Sequence, residues 1–144
     1  MPNQTRSSGV TVGLPSGWED RTMMTLVGPR GSKGFAANVV LTREPLAPAK
    51  SLPEYAARQL TAMKAELPAL TVLDERPITH QGAPGFQRLH RFTADQDVVQ
   101  QAQTFVLARG TVYVLTCSAQ LQDFDANLSA FRAISDSLKI DDAD

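Results

Sequence analysis

The 144-residue chain has one cysteine, Cys117, which excludes an internal disulfide. The apolar run around it makes that residue a small buried side chain. There are two histidines, His80 and His90, and no His-x-x-x-His, Cys-x-x-Cys or Gly-x-Ser-x-Gly spacing. The common zinc, thiol-redox and serine-hydrolase signatures are therefore missing. If their strands adjoined, Cys117 and His90 could pair as nucleophile and base, but the flanks of Cys117 argue for an inert thiol. The 14 basic and 15 acidic residues leave a formal net charge of -1 and lie scattered, with no basic stripe for a phosphate backbone. No window approaches the ~20 apolar residues of a membrane span, and the first twenty residues hold no signal-like run. These absences set the expectations: no enzyme, no cofactor, no metal, no nucleic acid and no integral membrane protein. A cytoplasmic location is expected unless processing has removed a leader. With catalytic signatures missing, binding is the function class that remains.

What the chain does have is a strongly β-prone stretch from Val98 to Ala119. Phe105, Val106, Leu107 and Val112, Tyr113, Val114, Leu115 suit a pleated surface, and Arg109-Gly110 stands between them where a turn needs positive φ. If Leu107 opposes Val112, one face carries Gln103, Phe105, Leu107, Val112, Val114 and Thr116, and the other carries Thr104, Val106, Tyr113, Leu115 and Cys117. Both faces are largely apolar, as in central strands covered on each side. Gln101 and Gln103 are the polar exceptions.

Earlier in the chain, residues 1–9 are polar and aperiodic and are expected to be a disordered terminus. Val10, Val12 and Leu14 alternate as a first strand, closed by Pro15-Ser16-Gly17, and Trp18 is expected to anchor the core. Thr22 to Val27 and Phe35 to Arg43 are two further strands. The glycine-rich Gly28 to Gly34 between them matches no phosphate-binding pattern and is expected to be a mobile hairpin connection. Ser51-Leu52-Pro53-Glu54 is a capping box with proline in the first turn, and Pro68 stops the helix it begins. Leu52, Ala56, Leu60, Met63 and Leu67 form its apolar stripe. Gln59 lies on that stripe, where a buried amide needs partners, and a backbone group is the simplest one.

Leu70 to Asp74 is a short strand, Ile78 to Gly85 a turn, and Phe86 to Thr93 a strand joined to the hairpin through Ala94 to Asp97. A last helix starts near Asp123 or Asp125, with Phe124, Leu128, Phe131, Ile134 and Leu138 on one side. The order implies one α+β domain over residues 10–140, with two main helices packing on an antiparallel sheet, and an acidic tail at 141–144.

LPSGWED after the first strand, NVVLTRE on the third, EYAARQL with a closing ELP in the helix, and QTFVLARGTVYVLTCSA in the hairpin together resemble the DcrB-like family of small bacterial proteins. Within it the pattern is similar to the Eag chaperones of type VI secretion. The resemblance runs from about Val10 to Ile140. It implies a PsbP-like α/β/α sandwich, a homodimer, and a concave sheet surface that cradles the N-terminal apolar helices of a secreted effector before export. It places the family's groove glutamines on Gln59 and Gln103, and its apolar groove positions near Met23, Thr25 and Val40, with Phe105 beside them on the hairpin. Thr25 departs from the branched aliphatic of the family pattern. On this reading the two glutamines should matter more to binding than to stability. The alternative is a stand-alone interaction or regulatory domain of the same fold with an unrelated ligand.

Overall fold

The structure is a computed structural model that describes residues 4–7, 9–21, 23–31 and 34–141. In chain order the elements are β1 (Gln4–Ser7), β2 (Val10–Gly13), β3 (Met24–Arg30), β4 (Ala36–Pro45), α1 (Leu52–Glu66), β5 (Thr71–His80), β6 (Ala83–Ala94), β7 (Asp97–Ala108), β8 (Thr111–Gln120) and α2 (Leu121–Ser137). Six strands form one antiparallel sheet in the order β3-β4-β8-β7-β6-β5, while β1 and β2 pair with each other as a separate ribbon.

The β7–β8 hairpin sits in the middle of the sheet, in the register set by Leu107 opposite Val112. Its turn, Arg109-Gly110, has φ of 49° and 76°, and Gln81-Gly82 between β5 and β6 has 49° and 84°. Both are two-residue turns with positive φ at each position, the form whose twist suits a tight hairpin. Helix α1 begins as its capping box requires: the Ser51 hydroxyl accepts from the Glu54 N–H at 3.2 Å. The Glu54 carboxylate reaches one residue further back and accepts from the Lys50 N–H at 3.1 Å.

Alternation along the strands divides the core in two. On one face Leu52, Tyr55 and Ala56 of α1 pack on Phe86, Phe105, Val112 and Val114. Phe105 is fully buried there, edge-on to the rings of Tyr55 and Phe86 at 6.1 and 6.0 Å. Burying such a ring is worth about 1.5–3 kcal/mol. On the other face Phe124 and Phe131 of α2 pack on Val39, Leu115, Cys117 and Ala119. The helices are staggered. Helix α1 lies mainly over β6 and β7, whereas α2 lies over β7, β8 and β4, so each leaves part of its sheet face uncovered.

Several expectations need correction. The stretch expected to lack structure contains β1, whose backbone pairs with β2. Trp18 is 72% exposed and anchors nothing. Strand β5 runs on to His80, because it is an edge strand on which Pro77 withholds no needed hydrogen bond; the expected turn shrinks to Gln81-Gly82. Strand β3 likewise continues through Gly28-Pro29 by a register shift between Val27 and Arg30. Helix α2 begins at Leu121, directly from β8, with no side-chain cap at Gln120. Thr22, Ser32, Lys33 and residues 142–144 lie outside the described residues.

Candidate functional site

The registers place one residue from each of five strands in a single row across the α1 face: Arg88 opposite Gln103, Gln103 opposite Thr116, Thr116 opposite Val40, and Val40 opposite Thr25. Three of the residues expected from the sequence, Thr25, Val40 and Gln103, therefore share one line. Gln59 comes down on that line from α1. Its carbonyl accepts from Nη1 of Arg88 at 3.1 Å, and the carbonyl of Gln103 accepts from the same nitrogen at 3.3 Å. The expectation that Gln59 would bond a backbone group gives way to this side-chain contact.

Arg88 is the residue that sequence reasoning missed. Its side chain has no exposed surface, its Nε donates to Glu75 at 3.0 Å, its Nη2 donates to the carbonyl of Ala56, and its guanidinium carbon lies 5.3 Å from the Phe105 ring centroid. A buried charge needs this many partners to be tolerated. The two-residue strand period puts Arg88 on the face of Phe86 and Phe92, but its partners come from α1, β5 and β7, far apart in the chain.

The row has a buried half and an open half. Under α1, Arg88 and Gln103 are satisfied internally, the Gln103 amide nitrogen donating to Thr116 at 3.2 Å. Beyond α1 the face is a trough. Thr116, Val40, Asn38 and Thr42 are half-buried on its floor, and Thr25 and Val27 are exposed at its edge strand. Between α1 and the β4–α1 connection the trough deepens into a cleft of about 300 Å³ lined by Glu44, Leu46, Tyr55, Gln59 and Ala62. Tyr55 donates its hydroxyl to Glu44, and burial followed by that contact pushes the phenol pKa above its usual value. Among the described residues, the Gln59 amide nitrogen has no partner. Two of the expected positions stand apart: Met23 is exposed just before β3, and Phe105 belongs to the core, with no surface for a partner to touch.

A second polar row lies beside the first. His90 Nε2 donates to the Gln101 carbonyl at 2.7 Å, and the Gln101 amide donates to Ser118 at 2.8 Å. Burial, partly opposed by the Gln101 bond and assisted by the Arg88 charge, holds the His90 pKa below 6.5. Cys117 is on the opposite face of the sheet, in register with Leu89 and Ala102, so His90 and Cys117 cannot act as a pair. Burial also pushes the Cys117 thiol up to about 11. Among the described residues no group of His, Cys, Asp and Glu could hold a metal ion, and no helix is long and apolar enough to cross a membrane.

The DcrB family pattern matches residues 10–137. The chain belongs to the DcrB family. No curated protein matches it. Its fold is shared with solved structures that DcrB-family membership alone would not specify. A Pseudomonas aeruginosa protein of unknown function, PA94, described as a candidate regulator, superposes with a TM-score of 0.83 at 18% identity over 97% of both chains. Cyanobacterial PsbP from Synechocystis sp. PCC 6803 does so with 0.59 at 12% identity, over 98% of this chain and 94% of its own. The Saccharomyces cerevisiae Ran-binding protein Mog1p gives 0.50 at 15% identity, over 84% and 77%. At these identities the likeness is one of fold, and this DcrB-family chain has the PsbP-like α/β/α sandwich.

Proposed function

We propose that this chain is a non-enzymatic chaperone or adaptor that shields the N-terminal apolar helices of a type VI secretion effector in the cytoplasm before export. The observation that supports it most is the uncovered half of the α1 face. An antiparallel sheet can leave a polar face to solvent, but this open half also carries Val40 and the exposed Val27, and exposed apolar surface marks an interaction site. Strand β4, ten residues long, runs about 33 Å along the floor, close to the ~30 Å of a 20-residue helix. The floor mixes Val40 with hydroxyls and amides, and Gln59, whose N–H groups have no partner among the described residues, lines the cleft. That chemistry suits the small and polar residues with which membrane helices pack together. Membership of the DcrB family and the resemblance of the helix and hairpin motifs to Eag chaperones point the same way.

One trough screens one side of a helix, so the working form is a homodimer whose two troughs act together. Light scattering at micromolar concentration should return twice the protomer mass. Co-expression with an effector fragment bearing an N-terminal apolar segment tests the role itself. The wild-type chain should hold the fragment in a soluble complex, and Thr25→Arg, a change at an exposed position, should release it. A chain that leaves every such fragment insoluble and captures a polar partner instead would be the interaction or regulatory domain of the alternative reading.

A further inference from the structure

The stagger of the helices leaves a second opening, on the α2 face and remote from the trough. Two rows cross the sheet there: Asp74–Leu89–Ala102–Cys117 and Arg76–Gln87–Thr104–Leu115. The small side chains of Ala102 and Cys117 leave space under α2, and Leu128 and Phe131 wall it, giving a cavity of about 210 Å³. That is below the roughly 300–1,000 Å³ of drug-sized ligand sites and suits a smaller molecule. Its lining is mixed: Leu89, Leu128 and Phe131 are apolar, while Gln87 and the buried Thr104 hydroxyl, bonded to Ser135 at 3.2 Å, are polar.

The mouth carries the specific information. Arg76 and Asp74 neutralise each other at 3.3 Å. Arg132 and Asp136, one turn apart on α2, line the same cavity, and among the described residues neither side chain has a hydrogen-bond or ion-pair partner. A simple anion entering the cavity would face Asp136, and a simple cation would face Arg132. A ligand bearing both charges meets both side chains favourably, its carboxylate taking the fork of the Arg132 guanidinium.

We propose that this cavity binds a small zwitterion with an apolar side chain, an α-amino acid of the leucine or phenylalanine type. The carboxylate lies on Arg132, the ammonium on Asp136, and the side chain enters against Leu89, Leu128 and Phe131. Calorimetric titration of the full chain with L-leucine and L-phenylalanine tests this. At least one should bind saturably at millimolar concentration or below. Removing either charge, as in 4-methylpentanoate or 3-methylbutylamine, should weaken binding about tenfold or more. Arg132→Gln and Asp136→Asn should do the same with an unchanged melting temperature, because both side chains are exposed and unpaired. Ala102→Leu, which fills the cavity, should abolish binding. The absence of saturable binding by either amino acid would overturn the proposal. So would undiminished binding by Arg132→Gln, or equal binding of a single-charge analogue.

Discussion

Gln59 and Gln103, 44 positions apart in the chain, meet at one cation: their amide oxygens lie 3.1 and 3.3 Å from the same Nη1 of Arg88. The two amides are not equivalent, however. Gln103 is buried and spends its N–H on Thr116, whereas Gln59 lines the cleft and its N–H groups have no partner among the described residues. The structure thus separates two roles that the sequence pattern treats alike.

Gln103→Ala removes one acceptor from a buried guanidinium and the donor to Thr116. It should cost about 1–3 kcal/mol of stability. Gln59→Ala should cost less, since Arg88 keeps Gln103, Glu75 and the Ala56 carbonyl, and should weaken partner capture more than folding. Urea unfolding of the two single variants, set beside capture of an apolar fragment, checks the split.

Gly85 lies between β5 and β7, and a Cβ there would stand 2.9 Å from Cγ1 of Ile78 and 3.0 Å from the Phe105 carbonyl oxygen. A strand hydrogen-bonded on both sides cannot back away. Gly85→Ala should therefore destabilise by about 1–3 kcal/mol, the usual cost of overpacking, read as a lower midpoint in urea.

The depressed pKa of His90 gives stability a pH dependence with a definite sign. Above the ordinary value of 6.5 the ring is neutral in both folded and unfolded chains. As pH falls from there through the lower folded value, the unfolded chain binds the proton first, so stability is lost. Unfolding midpoints between about pH 8 and 5 should decline in the wild type, and the decline should be shallower in His90→Asn.

With its thiol pushed up to about 11 and almost no exposed surface, Cys117 should resist thiol reagents in the native protein. Its labelling in denaturant should rise with the unfolding transition. Rapid labelling without denaturant would show that the α2 face opens far more often than its packing implies.

The elements that were legible in the sequence are those whose signals are local. The Arg109-Gly110 turn and the alternation on either side place the central hairpin and its register, and Ser51 to Glu54 places the start of α1. Gln103 stands out locally as a polar exception in an apolar hairpin, Thr25 and Val40 come from the resemblance alone, and that the three share one row is visible only in the strand registers. Arg88 shares the inward parity of Phe86 and Phe92, but its burial was not legible, because the Glu75, Gln59 and Ala56 groups that satisfy it lie on β5 and α1. Trp18 misled for the opposite reason: a large ring favours burial on average, but here the neighbouring Asp20 bonds Arg43 of β4 while the indole stays in solvent. Phe105 was rightly placed on the trough's side of the hairpin, yet α1 covers it.

The most direct measurement is photo-crosslinking from the trough. A benzoylphenylalanine placed at Thr25, on the exposed edge of the floor, is compared with one at Leu73, exposed on β5 at the far side of the sheet, each in a chain co-expressed with an effector fragment carrying an N-terminal apolar segment. The chaperone reading predicts a crosslink from position 25 into the apolar segment and none from position 73. A soluble complex that crosslinks only from position 73, or equally from both, would contradict it.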